Sequence, residues 1–389
     1  MPASTSPQIL VIGAGSTGSA VAYDFALRGL CVTLVERGGV ASGTTGHNQA
    51  QLHSGARYAV IDPLAARECI QENTILKNIC PNCFELNGGF FVEVPETDKT
   101  YREKFLHSCQ ECHIPITPIK KEKALQLEPN LNPDLLMAFF VPEGTFDPYR
   151  LCLSFLTSAA SFGAQIFTFC EVTEISPDLT VTIHHRPSHQ KIEKKFDAVV
   201  NATGPWVNKT ARLAGVTAPV EPSAGVMITL EGRVCNHVLN LLAPPDDGDI
   251  IVPQRSSVIL GTTSWTVDDP DEIEIPSDHI EKLFLVAEKL VPSIRNYPVR
   301  GIMASARPLM RTHTEGGRST TRGFFCQHHI EQGVPGLFSV LGGKTTTARL
   351  MAEKTCDDVC AYLNWNVPCK TAEMRLLSYR EWHRFNHYL

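Results

Sequence analysis

The sequence has no run of about eighteen apolar residues, the length that a membrane-spanning helix needs. It has no excess of basic residues either, because 35 lysines and arginines stand against 41 aspartates and glutamates. The resulting net charge of −6 provides no general basic field for nucleic acid. No basic region precedes an apolar stretch at the N-terminus, so no signal peptide is predicted. These absences predict a cytosolic protein without a transmembrane segment or a nucleic-acid partner.

The composition is that of a folded protein, with 43% hydrophobic and 20% charged residues. A chain of 389 residues exceeds what one hydrophobic core usually holds, which predicts two domains. Thirteen cysteines in a cytosolic chain are expected to be thiols or ligands rather than disulfides. Two C-x-x-C pairs, Cys80/Cys83 and Cys109/Cys112, have the spacing of a tetrathiolate site. Scattered thiols are the favoured interpretation of these pairs, and no metal is predicted.

The N-terminal region has the pattern of a β-α-β unit that binds a dinucleotide. A buried strand at residues 9–12 runs into a G-x-G-x-x-G loop, and a helix over residues 19–28 leads to a second strand at residues 31–35. Gly13 permits the tight turn, Gly15 lets the backbone approach the pyrophosphate, and Gly18 lets the helix pack closely on the strand. Glu36 closes the second strand and is expected to bind a ribose that lacks a 2′-phosphate.

Two further segments favour FAD over NAD as the dinucleotide. The segment from Ala41 to Tyr58 is small and polar and can donate several hydrogen bonds to phosphates and a flavin. Asn201-Ala-Thr-Gly-Pro-Trp206 follows a buried strand at residues 196–200 and predicts a backbone approach to the adenosine half. Further helices are predicted near 62–79, 98–112, 147–162, 277–290 and 346–363, and further strands at 89–94 and 337–341. The nucleotide-binding pieces are spread along the chain, which predicts a discontinuous domain.

Eight stretches, taken in order, resemble FAD-dependent glycerol-3-phosphate dehydrogenases, most of all the large flavoprotein subunit of the anaerobic type. The resemblance covers residues 8 to 375, and its stretches are Ala26–Gly29, Leu34–Arg37, Ala41–Thr44, Leu52–Val60, Gly248–Pro253, Gly261–Ser264, Ala306–Leu309 and Gly342–Glu353. It implies an α/β protein with an α+β cap, in the glutathione-reductase-2 or D-amino-acid-oxidase-like fold. The expected domains are a Rossmann-type FAD domain over 1–83, 146–222 and 300–389, and a substrate or cap domain over 84–145 and 223–299.

The resemblance also implies an active site rich in cations. Arg57 and Tyr58 match a substrate-proximal pair, Arg307 matches an arginine near the substrate hydroxyl and phosphate, and Arg322 and Lys344 match further phosphate-side cations. A phosphate dianion in a partly closed pocket is well matched by bidentate arginines and a lysine. The residues expected to bind FAD are Gly13, Gly15, Ser16, Thr17, Gly18, Glu36, Arg37, Thr44, Thr45, Gln51, Leu52, His53, Val172, Ala202, Thr203, Gly204, Gly343, Lys344, Thr345 and Thr346.

The chain departs from the family pattern in three places. Where the anaerobic type carries Lys-Gly-Ser, this chain reads Ala224-Gly-Val226, which is expected to remove a cation and a hydroxyl near the cap. His47 stands where an arginine is common. The chain also reaches Leu389 without the family's cysteine-rich iron–sulfur domain, so a separate electron acceptor is expected.

The expected reaction is oxidation of a small anionic alcohol, with sn-glycerol 3-phosphate as the first candidate and dihydroxyacetone phosphate as its product. Hydride would pass to flavin N5, and His53, Arg307 or Lys344 would assist loss of the hydroxyl proton. Electrons would pass to an iron–sulfur or flavoprotein subunit, which would place the protein at the inner face of a membrane. The alternatives are an oxygen-using oxidase or a dehydrogenase of a small 2-hydroxy acid or amine, and a non-catalytic flavoprotein subunit of a complex. The basic and aromatic C-terminal segment 378–389 either docks such a partner or packs on its own domain.

Overall fold

We describe the protein from a computed structural model, which covers residues 6–310 and 323–385. Its strands, in chain order, are β1 (Gln8–Ile12), β2 (Cys31–Val35), β3 (Gln51–Leu52), β4 (Phe84–Glu85), β5 (Gly89–Glu93), β6 (Thr117–Lys120), β7 (Met137–Val141), β8 (Gly144–Phe146), β9 (Gln165–Phe167), β10 (Cys170–Ile175), β11 (Thr180–His185), β12 (Gln190–Lys195), β13 (Ala198–Asn201), β14 (Val220–Glu231), β15 (Val238–Leu241), β16 (Ile250–Gln254), β17 (Ser257–Gly261), β18 (Trp265–Thr266), β19 (Val299–Met310), β20 (Phe324–His328) and β21 (Leu337–Gly342). Its α-helices are α1 (Ser16–Leu27), α2 (Pro63–Ile79), α3 (Lys99–Glu111), α4 (Lys121–Leu127), α5 (Pro148–Ser161), α6 (Val207–Arg212), α7 (Ser277–Leu290) and α8 (Ala348–Tyr362).

The dinucleotide half of the protein is built on a mostly parallel sheet. In the described residues its strands lie in the order β20-β21-β13-β1-β2-β9, with only the β20–β21 pair antiparallel. Helices α1, α5 and α8 pack together on this sheet, and their small and apolar side chains join one hydrophobic core with β1 and β13. The predicted β-α-β unit is confirmed, although α1 begins at Ser16, three residues earlier than predicted.

Acidic caps and a following proline determine where two predicted helices begin. The Asp62 side chain accepts a hydrogen bond from the Ala65 amide at 3.1 Å, and Pro63 occupies the first turn of α2. Asp147 accepts from the Arg150 amide at 3.1 Å in the same way, with Pro148 opening α5. Both helices were predicted within one residue of their observed bounds. None of the helices in the described ranges is long and apolar enough to cross a membrane.

The cap half is built on a largely antiparallel sheet. Over the part of the chain that the structure covers, its strands follow the order β18-β14-β17-β16-β15-β5-β7-β6, and β19 pairs with β14. Residues from Val299 to Met310 pair with β14 in antiparallel register, from Leu230 back to Val220, and this long ladder joins them to the cap sheet. The predicted domain boundaries, which assign residues from 300 onward to the FAD domain, stay a prediction.

The C-terminal segment packs on its own domain as far as the structure describes it. The Leu377 amide donates to the Ser158 hydroxyl at 2.8 Å, and the Arg150 guanidinium lies 4.8 Å from the centre of the Tyr379 ring. Trp382 packs against the hydrophobic core of the dinucleotide half. Of the two interpretations offered for this segment, the structure supports packing for residues up to Phe385.

Candidate active site

A cavity of about 940 Å³ is lined by residues of both halves. The predicted site residues that line it are Gly13, Gly15, Ser16, Thr17, Glu36, Arg37, Thr44, Thr45, Gln51, His53, Arg57, Tyr58, Val172, Ala202, Thr203, Gly204, Arg307, Gly343, Lys344, Thr345 and Thr346. Leu52 does not line the cavity, because its side chain is fully buried in the hydrophobic core. Arg322 lies outside the described residues. The cavity therefore unites segments that are far apart in the sequence.

The glycine loop leaves room for a ligand because side chains are missing from it. Gly13 has a φ of +106°, which disfavours any residue with a Cβ. A Cβ at Gly18 would stand 2.0 Å from the Gly13 carbonyl oxygen, so Gly18 serves the packing of α1 on the loop rather than the cavity wall. A Cβ at Gly15 would stand 3.1 Å from the Thr45 hydroxyl and would narrow the cavity at the start of α1. The loop thus forms a cradle for an anion at a helix N-terminus.

Glu36 lies in the cavity at the end of β2. Its carboxylate accepts hydrogen bonds from the Ala14 amide at 2.9 Å and from the Gly38 amide at 2.8 Å. These bonds hold the carboxylate beside the glycine loop, where a ribose next to the pyrophosphate would lie. A negative charge there disfavours a 2′-phosphate. The loop and the acid together fit a dinucleotide with an unmodified ribose.

A group of aromatic and cationic side chains forms one wall of the cavity. The Tyr58 hydroxyl lies 3.5 Å from Nε2 of His53, and the Lys344 ammonium lies 4.7 Å from the centre of the Tyr58 ring. The His53 amide donates to the Thr346 hydroxyl at 3.2 Å, which joins this segment to the turn before α8. Burial raises the pKa of the Cys69 thiol on α2, and the positive charge of Lys344 opposes that rise.

Two arginines approach the cavity with different partners. Arg57 is buried, and its guanidinium makes a 2.5 Å ion pair with Asp249 and donates to the Asp246 carbonyl at 3.0 Å. Arg307 reaches the cavity from β19 and donates to the Thr262 hydroxyl at 2.9 Å and to the Thr263 carbonyl at 2.7 Å. Asp249 lies on the cap side and balances the Arg57 charge. Arg57 therefore joins the two halves of the protein as well as lining the cavity.

Comparison with known proteins agrees with this geometry. The family profile described as FAD dependent oxidoreductase matches residues 8–356. The chain belongs to this family. Its cofactor is FAD.

Relatives within this FAD-dependent family are similar over nearly the whole chain. One subunit of the anaerobic glycerol-3-phosphate dehydrogenase of Haloferax volcanii is 41% identical over 95% of this chain and 66% of its own length. The corresponding subunit of the Escherichia coli K12 enzyme is 37% identical over 96% of this chain and 70% of its own length. The chain thus spans about two thirds of the length of the curated relatives.

Solved structures confirm the predicted D-amino-acid-oxidase-like fold. The glycerol-3-phosphate dehydrogenase of Bacillus halodurans, solved with FAD, superposes with a TM-score of 0.71 at 24% identity, over 98% of this chain and 71% of that one. A glycine oxidase of Geobacillus kaustophilus has a TM-score of 0.73 at 19% identity, over 96% and 99% of the two chains. At these identities the likeness concerns the fold alone.

The cap departure at Ala224 and Val226 lies outside the cavity of this flavoprotein. Along β14, Val226 faces the cap core with Ile228, and Ala224 is also fully buried. Gly225, between them, lines the cavity. Successive residues of a strand face opposite sides of the sheet, so these two positions face away from the cavity. The expected loss of a cation and a hydroxyl near the cap stays a prediction.

Buried polar residues that no sequence motif indicated hold the segment from Gln51 to Ser54 in place. Glu143 accepts hydrogen bonds from Gln51 at 2.8 Å and Ser54 at 3.3 Å, on either side of His53. Burial raises the pKa of Glu143, and the hydrogen bonds from Asn240, Gln51 and Ser54 oppose that rise. Asn73 donates to the His53 carbonyl at 3.1 Å. None of these residues stands in a motif, so only the fold reveals them.

The two C-x-x-C pairs lie apart. The Cys80 and Cys83 sulfurs are 3.1 Å from each other in the core of the dinucleotide half, whereas Cys109 and Cys112 belong to a different hydrophobic cluster. The four thiols therefore do not converge on one tetrathiolate site. Among the residues described, no group of three or more His, Cys, Asp or Glu side chains is arranged to hold a metal ion.

Proposed function

We propose that the protein oxidises a small phosphorylated alcohol, with sn-glycerol 3-phosphate as the substrate and dihydroxyacetone phosphate as the product. The observation that carries the proposal is the convergence of Arg307 from the cap and Lys344 from the dinucleotide half on the cavity that also contains His53 and Tyr58. Bound FAD supplies the acceptor for hydride from the hydroxyl-bearing carbon. The names of the relatives from Haloferax volcanii and Escherichia coli support the same substrate.

Each cation has a separate role in this proposal. Arg307 presents a planar fork, oriented by Thr262 and Thr263, that matches two oxygens of a phosphate. Lys344 contributes a point charge beside the Tyr58 ring. His53, next to the Tyr58 hydroxyl, accepts the proton of the substrate hydroxyl, while the cations stabilise the developing alkoxide. Arg57, paired with Asp249, holds the segment that carries His53 and Tyr58 against the cap.

The test of substrate class is reduction of the bound flavin without oxygen. We expect sn-glycerol 3-phosphate to bleach the flavin absorbance of the holoprotein at far lower concentration than glycerol, which lacks the anion. Glycine and a 2-hydroxy acid such as lactate serve as the comparison for the amine and carboxylate alternatives. Faster bleaching by either of these would contradict the phosphorylated substrate, and no bleaching by any of the four would contradict a catalytic role.

Gly225 is expected to control the position of the Arg307 guanidinium. A Cβ at Gly225 would stand 2.3 Å from Arg307 Nη2 and 2.5 Å from the Thr263 carbonyl oxygen. Gly225→Ala should therefore displace the fork and lower kcat/KM for sn-glycerol 3-phosphate by about tenfold to a hundredfold, since overpacking of this kind costs about 1–3 kcal/mol. Steady-state kinetics of the purified holoprotein measure this effect.

Gly301 provides the matched control for that substitution. It lies on β19, the strand that carries Arg307, but a Cβ there would meet nothing within 4 Å. Gly301→Ala should keep kcat/KM within about twofold of the unmodified protein, because an exposed substitution without contacts has little effect. Equal losses in the two variants would show that Gly225 does not act through Arg307.

We propose further that the reduced flavin passes its electrons to a separate protein partner at the inner face of a membrane. The support is the designation of the relatives as subunits of an anaerobic dehydrogenase. The rate at which the substrate-reduced holoprotein is reoxidised distinguishes a dehydrogenase with a protein acceptor from an oxidase. We expect slow reoxidation by dissolved oxygen and fast reoxidation by a one-electron dye that replaces the partner; fast turnover with oxygen alone would instead identify an oxidase.

A further inference from the structure

An acidic segment of the cap reaches across to the dinucleotide half. We name residues 268–272, Asp-Asp-Pro-Asp-Glu, the acidic strap. The Asp271 carboxylate accepts hydrogen bonds from Arg37 at 2.7 Å, from the Trp206 indole at 2.8 Å and from Lys209 at 2.9 Å. Asp269 accepts two more from Lys209, at 2.6 and 2.7 Å. One short segment therefore binds three side chains of the other half.

These contacts form a connected network rather than isolated pairs. The Arg37 guanidinium lies 4.5 Å from the centre of the Trp206 ring, so two of the three groups that donate to Asp271 also pack on each other. The Asp271 amide donates to the Asp269 carboxylate at 2.8 Å, which fixes the turn of the strap. Single exposed ion pairs contribute little, but a network with stacked and bidentate members holds its geometry better.

The position of the acidic strap connects it to the cofactor. Pro270 and Asp271 line the same cavity as Glu36, and Arg37 is the next residue along the chain after that ribose-side acid. The strap is anchored at its start, where the Val267 amide donates to the Pro222 carbonyl at 3.0 Å, and α7 follows it at Ser277. It therefore borders the cavity at the end where the ribose fits.

We propose that the acidic strap is a latch that retains the adenosine half of FAD and must open before the cofactor can leave. Contacts with Arg37, Trp206 and Lys209 hold the strap closed, so its opening breaks hydrogen bonds within the protein. The strap also pairs with Arg37, the residue next to Glu36 along the chain, so it neutralises a positive charge at the ribose end of the cavity.

Salt rather than pH should open the acidic strap. Burial alone would raise the pKa of Asp271, but hydrogen bonds from Arg37, Lys209 and Trp206 lower it to about 2. Hydrogen bonds from Lys209 and the Asp271 amide lower the pKa of Asp269 as well. Both carboxylates therefore stay charged across the ordinary pH range. Their partners are partly exposed, and exposed charges are screened by added salt.

The test is the rate of FAD release from the holoprotein, followed by the rise in flavin fluorescence after dilution. We expect Asp269→Asn combined with Asp271→Asn to release FAD about tenfold faster at low salt. Raising the salt from about 0.05 M to about 0.5 M should speed release from the unmodified protein and change the double variant much less. Trp206→Phe keeps an aromatic ring but removes the N–H donor. Its rate of FAD release should lie between the rates of the unmodified protein and the double variant.

Asp178→Asn is the matched control. It breaks an exposed 2.9 Å ion pair with Lys195 on the β10–β12 sheet, away from the cavity lining. This variant should release FAD at the unmodified rate. A double variant with the unmodified release rate, or an unmodified protein whose release ignores salt, would overturn the latch. Because the measurement uses no substrate, its outcome is independent of the proposed reaction.

Discussion

Arg307→Ala is expected to lower kcat/KM for sn-glycerol 3-phosphate about a thousandfold. The guanidinium donates to Thr262 and Thr263 on the cap and lines the same cavity as His53 and Tyr58. Removing one partner of a desolvated, hydrogen-bonded charge pair costs about 2–5 kcal/mol, and each 1.4 kcal/mol is about a factor of ten. In the variant the substrate anion would enter a cavity whose cap side no longer offers a bidentate partner.

Two comparisons identify the cause of that loss. Arg307→Lys keeps a positive charge but not the planar fork, so we expect it to recover only part of the activity. Oxidation of unphosphorylated glycerol, measured at high concentration, should fall far less than oxidation of sn-glycerol 3-phosphate. FAD content, measured by flavin absorbance, should stay unchanged in both variants. If kcat/KM for the phosphorylated substrate stays at the unmodified value in Arg307→Ala, the residue has no place in the site.

The parts of this site that could be predicted are those where the chemistry lies in a short stretch of chain. The turn at Gly13 needs a positive φ, the close approach of Gly18 needs a missing Cβ, and Glu36 ends a strand at a fixed distance from them. Helix α7 was predicted at its observed bounds because its apolar residues repeat with helical spacing between polar ones. Local sequence contains this information.

The parts that could not be predicted depend on pairings between distant residues. Asp249 balances Arg57 across 192 positions of sequence, and Glu143 organises Gln51 from 92 positions away. The register of β19 on β14 decided that Gly225 faces Arg307 while Ala224 and Val226 face the core. A register shift of one residue would turn these side chains to the opposite face of the sheet, and no local sequence pattern specifies the register.

Arg349→Ala is expected to lower the free energy of unfolding by about 3–5 kcal/mol. Its side chain is 2% exposed, and it makes two hydrogen bonds to Glu72, at 2.8 and 2.5 Å, which is itself fully buried on α2. It also donates to Glu353 at 2.5 Å and to Thr371 at 3.1 Å, so it joins α2, α8 and the C-terminal segment. In the variant, the buried Glu72 carboxylate loses the positive charge of Arg349. Urea unfolding of the purified protein measures the change.

Lys354 gives a matched control on the same pair of helices. Lys354→Ala breaks a 3.3 Å ion pair with Glu68, but the lysine is 54% exposed, and the loss should stay below about 1 kcal/mol. Replacing both buried partners, Arg349→Leu with Glu72→Leu, should recover much of the lost stability, because no unpaired charge remains between them. A double variant as unstable as Arg349→Ala would show that packing rather than charge explains the loss.

The pH dependence of the unfolding free energy of the Arg349→Ala variant tests independently whether the loss of stability comes from the unpaired Glu72 charge. Burial raises the pKa of Glu72 above 4.5, and Arg349 opposes that rise, so removing the arginine should raise the pKa further. A carboxyl whose pKa is higher folded than unfolded binds more protons in the folded state, and stability then increases as pH falls through the raised pKa toward 4.5. The stability deficit should therefore shrink as the pH falls through that raised pKa, as urea unfolding at a series of pH values would show.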